Sequence, residues 1–299
     1  MNKQEIKYIA LAPTKKACRI IKGKTIHKFV ASFTSQNFKK HGYDYIFIDE
    51  ISMMQEVFYK FFIYLKRAHP KIKFIIAGDF EQLLPVKDRL TNCYYKHSIA
   101  LHELCNGNKL TLTKCRRSDD TLFKMLLPEN IKNITKSTFG NKTTDLNICF
   151  TNKKRIEINK QIMQANEKAK KRSGLTLPKL KYDKNSQTTI LYKGTPIIAR
   201  INENKYDICN NETFIIKKIG KDSIIIEGED DDETISRNIE IPIKYFQRLF
   251  YVAYCITTHR SQGSTFTNAY TIHEFDLFDN RLKYVALSRS TSINNINIV

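Results

Sequence analysis

The 299 residues and 35.0 kDa suffice for two domains of ordinary size, and 41% apolar with 27% charged residues is a globular composition. Fifty Lys and Arg against thirty Asp and Glu give a formal charge of +20, which excludes an acidic solvating chain and favours a polyanionic partner. Ten glycines are too sparse for a phosphate loop: GxxxxGK[ST] needs two of them five apart and GxGxxG needs closer ones, whereas the closest pair here is Gly220 and Gly228.

In chain order, short apolar runs alternate with helical patterns, the signature of α/β layering. Tyr8–Leu11, Tyr45–Ile48 and Phe74–Ala77 are continuous apolar stretches, expected as strands buried on both faces. Between the last two, the aromatic segment Val57–Arg67 reads as a buried helix. A second set opens with a strand at Leu146–Phe150 and a polar helix near Lys153–Lys171, and residues 172–188 are expected as a hinge. From Ile190 to Ile243 the texture changes to short β segments separated by turn residues, which predicts a small all-β insertion of SH3 size over 189–248. Its acidic run Glu227–Glu233, interrupted only by Gly228, reads as a solvated hairpin tip. The α/β texture returns at Leu249–Ala253, Ala269–Ile272 and Ile296–Val299. Seven dispersed cysteines (18, 93, 105, 115, 149, 209, 255) form no CxxC, which argues for reduced thiols in an intracellular protein and against a zinc or disulfide module. No apolar run approaches ~18 residues and the N-terminus lacks a signal-peptide core, so a cytosolic or nuclear protein is expected.

Two strand ends carry chemistry. Tyr45-Ile46-Phe47-Ile48-Asp49-Glu50 resembles a Walker B strand, in which a buried strand delivers carboxylates to the edge where a nucleotide binds. Asp49 is then a candidate Mg²⁺ ligand, direct or through water, and Glu50 a candidate general base for the attacking water. Some thirty residues on, Phe74-Ile75-Ile76-Ala77-Gly78-Asp79 ends another such strand, and Gln82 follows as an amide able to bond a γ-phosphate or that water.

The order IDEISMM then IAGDFEQLLPV resembles motifs II and III of superfamily 1 DNA helicases, in the RecD-like branch that includes the PIF helicases. Leu11–Ala17 and Gly23-Lys24-Thr25-Ile26-His27 resemble motif Ia, which implies DNA-backbone contacts from Thr14, Lys15 and His27. Gly23-Lys24-Thr25 mimics the end of a P-loop, but the residue five before Gly23 is Cys18 and no strand runs directly into it. Lys114–Asp120 resembles motif IV, with Arg116 in the slot of an arginine that reaches the γ-phosphate and Arg117 where the family often has Gln. Thr151-Asn152 and Asn159 match a strand–helix signature of the second motor domain, and Gly194–Asn202 with Asn210-Asn211-Glu212 resembles the family's SH3-like insertion. Thr257–Gly263 and Thr265 resemble motif V, implying that Thr257, His259 and Arg260 meet DNA while Gln262 and Gly263, like Asp79, approach the nucleotide. Tyr284–Ser290 resembles motif VI, with Arg289 as a second arginine finger.

The resemblance implies an α/β fold of two RecA-like, P-loop NTPase-type domains, 1–113 and 114–299, the first incomplete because the family's P-loop is missing. It implies ATP and Mg²⁺ as cofactors, single-stranded DNA as partner and 5′→3′ translocation. Without the P-loop, feeble ATP hydrolysis is expected unless another polypeptide supplies that segment. The competing expectation is a non-catalytic remnant that binds single-stranded nucleic acid; residues 1–40 carry ten Lys and Arg against Glu5 alone.

Overall fold

The structure, a computed structural model, describes residues 6–34, 36, 42–84, 95–170, 173–229 and 236–299. Cys93, Pro85-Val86 and the tip of the acidic run, 230–233, lie outside the described residues. The chain forms two compact units, Met1–Lys114 and Cys115–Val299.

The first unit contains β1 (Tyr8–Ala12), α1 (Lys15–Ile20), β2 (Lys24–Thr25), α2 (Ile26–Ala31), β3 (Tyr45–Ile48), α3 (Glu56–Ala68), β4 (Lys73–Ile76) and α4 (Ile99–Leu104). Its four strands form one parallel sheet in the order β2-β1-β3-β4. The aromatic segment is the helix α3, and Phe58, Tyr59, Phe62 and Leu65 recur at three- and four-residue spacing along its buried stripe. That stripe packs with Ile46, Ile48, Leu11 and Phe29, and the Phe29 and Phe62 rings stack at 6.3 Å. Each such side chain contributes on the order of 1.5–3 kcal/mol. Burial on both faces holds for β1, whose Ile9–Ala12 are all buried, but not for β4. That strand lies at the sheet edge and alternates, leaving Ile75 52% exposed.

The second unit runs through α5 (Asp120–Met125), β5 (Leu146–Cys149), α6 (Asn152–Lys170), β6 (Leu175–Leu177), β7 (Thr189–Leu191), β8 (Pro196–Ala199), β9 (Thr213–Ile219), β10 (Ser223–Glu229) and β11 (Ser236–Pro242). It continues with α7 (Ile243–Leu249), β12 (Phe250–Val252), β13 (Cys255–Thr257), α8 (Thr258–Ser261), β14 (Tyr270–Ile272), α9 (Asn280–Leu287) and β15 (Ile296–Ile298). A parallel sheet, β13-β5-β14-β15, is joined by an antiparallel one, β11-β10-β9-β8-β12, and by the hairpin β6-β7.

Two expectations need correction here. Leu249–Ala253 does not rejoin the parallel sheet. Its strand β12 pairs antiparallel with β8, because Phe250 packs against Phe214 and Phe246, at 5.7 and 5.2 Å, in the core of the antiparallel sheet. The described part of the expected hinge, 173–188, is tied into the unit rather than loose. Strand β6 is registered on β7, and Asp183 accepts the Tyr251 hydroxyl hydrogen at 2.7 Å and pairs with Arg200 at 2.7 Å.

Candidate functional site

In the first unit the chemistry gathers where β1, β3 and β4 end. The backbone ladder continues past the strands: Asp49 N–H donates to Leu11 O at 2.9 Å, Ala77 N–H to Ile48 O at 2.8 Å and Ile51 N–H to Ala77 O at 3.0 Å. The loop leaving β3, with Asp49 and Glu50, is thereby bonded to the loop leaving β4, with Asp79 and Gln82. Glu50 adopts a left-handed conformation, φ 52°, which turns the chain out of the strand and aims its N–H at Asp49 Oδ1, 2.9 Å away. In the neighbouring loop Asp79 accepts from Glu81 N–H at 3.0 Å and from Gln82 Nε2 at 3.2 Å, so the carboxylate orients the amide. Gly78 makes the close approach possible, since a Cβ there would lie 2.6 Å from Ile51 Cγ2 and 2.8 Å from Ile51 N. All four side chains are half-buried and open to a ligand in part.

A Mg²⁺ ion suits this edge. With Oδ1 of Asp49 engaged by a backbone N–H, Oδ2 is the oxygen left to meet a metal-bound water, and Mg²⁺ characteristically keeps several waters and takes one or two carboxylates. Among the described residues no group of three or more His, Cys, Asp or Glu forms a protein-only metal cage.

The three candidates nearer the N-terminus have distinct settings. Thr14 caps α1, its Oγ1 accepting from Ala17 N–H at 3.2 Å, with Lys15 next to it in the first turn. His27 is exposed in the first turn of α2, edge-on to Phe58 at 4.6 Å. Lys24 stands on β2, and Thr25 caps α2 through Lys28 N–H at 3.2 Å, so Gly23-Lys24-Thr25 is a sheet-to-helix turn and no phosphate cradle.

In the second unit Arg116 and Arg117 are exposed on the loop before α5. Asp119 fixes that loop: it caps α5 through Leu122 N–H at 2.7 Å and accepts from Ile293 N–H at 2.9 Å, and these bonds hold its pKa below the usual carboxylate range against burial. Arg289 is not an outstretched finger. It is 1% exposed, and its guanidinium donates to Val285 O at 3.0 Å, Ser264 O at 3.3 Å and Ser288 Oγ at 2.8 Å. Its own carbonyl accepts from Phe266 N–H at 2.7 Å. Arg289 and the loop beginning with Gln262 and Gly263 (φ 76°) are thus one bonded assembly.

Thr257 is buried at the end of β13, and His259 is exposed on α8, where partial burial of the ring lowers its pKa while Asp279 opposes the shift. Arg260, expected to meet DNA, is anchored within its own unit. Its Nη1 is held by Ala199 O at 3.2 Å and Asn211 Oδ1 at 2.8 Å, and its guanidinium lies 5.1 Å from the Tyr251 ring centre.

Sequence reasoning named Thr151, Asn152 and Asn159 without their physics and missed Glu274 and Arg155. Asn159 is fully buried, and its carboxamide bridges both main-chain groups of Cys255, at 2.8 and 3.0 Å, sealing the edge strand β13. Glu274 accepts from Phe150 N–H, Thr151 N–H and Thr151 Oγ1, at 3.0, 2.8 and 2.8 Å, satisfying donors at the entrance of α6. No local pattern announces a carboxylate that acts across more than a hundred residues.

The model of an AAA domain family matches residues 1–88. Among solved structures, the chain is similar over 99% of its length to 83% of a Pif1 helicase from Bacteroides in complex with ADP-AlF3 and ssDNA, at 19% identity and a TM-score of 0.63. It is similar over 98% of its length to 84% of Pif1 helicase from Candida albicans, at 16% identity and a TM-score of 0.66. A structure of two coordinating Pif1 helicases at forked dsDNA gives 18% identity and a TM-score of 0.66, covering 99% of this chain and 82% of that one. A search of curated proteins finds no match. The chain therefore has an α/β fold with parallel sheets of the kind that builds Pif1 helicases.

Proposed function

We infer that this chain is a DNA helicase or translocase, or a part of one, driven by ATP along single-stranded DNA. What carries the reading is the pair Asp49 and Glu50 at the exit of a parallel strand, bonded into the loop that holds Asp79 and Gln82. On this reading Asp49 would hold Mg²⁺, directly or through water, and the ion would supply charge neutralisation at the phosphates. Glu50 accepts a proton from the attacking water, and Gln82, steadied by Asp79, reports the γ-phosphate. Arg116 reaches the same phosphate, and Arg289 holds the Gln262-Gly263 loop in register and must release its main-chain bonds to act as a finger. Lys15, His27 and His259 meet the DNA backbone, with Thr14 and Thr257 alongside. Travel is 5′→3′, the two units act as RecA-like domains, and the antiparallel sheet serves as the SH3-like insertion. The 299 residues contain no GxxxxGK[ST], so on this reading another polypeptide carrying that segment would cradle the β- and γ-phosphates.

The net charge of +20 also suits a second reading, a binder of single-stranded nucleic acid that does not turn over ATP. DNA-stimulated ATP hydrolysis separates the two. The 299-residue chain is expected to stay near background. A fusion placing a strand and GxxxxGK[ST] ahead of Met1 is expected to hydrolyse ATP and to lose that activity with Glu50→Gln, and Arg116→Ala in the fusion should cost on the order of 10³–10⁵ in turnover. A folded fusion that remains inactive eliminates the motor reading and leaves the binder.

A further inference from the structure

Three arginines from distant parts of the second unit converge on one tyrosine. The guanidinium carbons of Arg155, Arg200 and Arg260 lie 4.5, 4.6 and 5.1 Å from the Tyr251 ring centre. Arg155 comes from α6, Arg200 follows β8 and Arg260 stands on α8. The carboxylate in the cluster is Asp183, which pairs with Arg200 Nη2 and accepts the Tyr251 hydroxyl hydrogen. Three cations against one anion leave an excess of two positive charges in a largely buried place. A charge taken out of water costs several kcal/mol unless it is paired and hydrogen-bonded. Burial accordingly lowers the pKa of Arg155 and of Arg260, and the neighbouring arginines lower that of Arg260 further.

The hydrogen bonds of the cluster are incomplete. Arg155 is 1% exposed, donates through Nε to Asn152 Oδ1 at 3.1 Å and through Nη2 to Asn185 O, and leaves Nη1 buried with no partner. Arg200 Nη1 takes Gln247 O and Arg260 Nη1 takes Ala199 O and Asn211 Oδ1, all of them neutral acceptors. Arg200 and Arg260 keep some contact with solvent, Arg155 is almost fully buried, and its unpartnered Nη1 is a donor that an anion in the cluster would satisfy.

We propose that Arg155, Arg200 and Arg260, gathered around Tyr251, form a phosphate-binding site, distinct from the nucleotide edge of the first unit and independent of whether the chain hydrolyses ATP. Planar guanidinium forks match the non-bridging oxygens of a tetrahedral oxyanion, and the two excess charges match the inorganic phosphate dianion, while a backbone phosphodiester offers the same oxygens with a single charge. The phosphate can belong to a nucleic-acid strand or be free in solution, and both sources offer the same oxygens.

Two measurements on the full chain test the site. The first is the melting temperature in inorganic phosphate against sodium chloride at equal ionic strength. Phosphate is expected to raise it, Arg155→Met to abolish the rise, and Asp183→Asn to enlarge it by removing the internal anion. If Arg155→Met does not fold, Arg260→Gln replaces it, with the same loss expected. The second is anisotropy of a labelled oligo-dT as a function of salt. A backbone phosphate in the site predicts weaker binding in Arg155→Met and a log–log salt slope shallower by ~0.7, one phosphate contact on a single strand. Phosphate stabilisation lost in the variant with an unchanged oligonucleotide slope assigns the site to free phosphate. A phosphate effect that is absent, or equal in wild type, Arg155→Met and Arg260→Gln, together with an unchanged slope, overturns the proposal.

Discussion

Glu50 shows how a single residue is used against its own preference. A left-handed backbone at a residue with a Cβ costs roughly 1–2 kcal/mol, and the bond from its N–H to Asp49 Oδ1 offsets part of that. Gly78 answers from the neighbouring loop. Gly78→Ala must push a Cβ against the stiff Ile51 side chain and its amide, so a loss of about 1–3 kcal/mol is expected in urea unfolding; an unchanged midpoint would mean that the two loops are not in contact. His273 offers a readout through pH. The Nδ2 bonds of Asn147, to Thr144 O, Asp145 O and Tyr254 O, leave its Oδ1 as an acceptor, so His273 Nε2, 2.9 Å away, carries the hydrogen. Burial and then Lys154 lower the folded pKa of His273, so the unfolded chain binds the proton more readily. Stability from this group is complete above the unfolded value of about 6.5 and is lost as pH falls through the lowered folded value. His259, also lowered, acts in the same direction. Thermal unfolding between pH 7.5 and 5 should show this decline, and His273→Gln should flatten it; an identical slope in the variant would assign the decline elsewhere.

At the scale of elements, the edge strand β13 depends on a side chain from α6. Replacing Asn159 by Ala strands a buried N–H and a buried C=O of Cys255, and at about 1–3 kcal/mol for each group a loss of ~2–6 kcal/mol in chemical denaturation is expected. A loss below 1 kcal/mol would show that water takes over both groups. Arg237 belongs in the same class: it pairs with Asp207 and Glu212 and lies over Phe214, so a substitution there is expected to disturb the antiparallel sheet. The elements themselves were legible in the sequence because apolar runs of four or five residues bounded by turns leave few alternatives, as at Tyr45–Ile48 and the helix around Phe62. Their partners were less legible. Phe250–Val252 reads the same whether its neighbour is parallel or antiparallel, and the rings of Phe214 and Phe246 that decide the matter come from elsewhere in the chain. Residues 172–188 read as a hinge because their polar texture conceals Asp183, whose partners are remote in sequence. At the candidate site the positions of Asp49, Glu50, Asp79 and Gln82 followed from strand ends, whereas the inward course of Arg289 depends on carbonyls at Val285 and Ser264 that no motif spacing encodes.

The whole molecule carries its positive charge on both units: residues 1–114 hold 20 Lys and Arg against 9 Asp and Glu, and residues 115–299 hold 30 against 21. Much of the acid is concentrated in the run from Glu227 to Glu233, which leaves the remaining surface more basic than the total suggests. Surface ion pairs such as Lys60–Glu56 and Lys96–Glu81 contribute little to stability, ~0–1 kcal/mol each, so a charge excess of this size acts mainly on what the chain binds. Phosphates along a single strand, with their condensed counterions, are the natural complement. Binding releases those counterions, and affinity falls with salt by about 0.7 logarithmic units per tenfold change for each phosphate engaged. Five engaged phosphates would give a slope near −3.5 and a loss of roughly 100-fold between 50 and 200 mM salt. Position matters as well as total charge. Lys15 opens α1, three residues after β1 ends at Ala12 and on the edge where Asp49 N–H bonds Leu11 O, and Lys60 stands in α3 with Glu56 one helical turn away. Lys15→Ala should therefore weaken oligo-dT binding and make the slope shallower by ~0.7, and Lys60→Ala should change neither. Fluorescence anisotropy over a salt series on the three proteins decides the matter. Equal shifts in both variants would mean that the strand responds to net charge alone, and a flat salt response in the wild type would remove single-stranded nucleic acid as the polyanion that this charge serves.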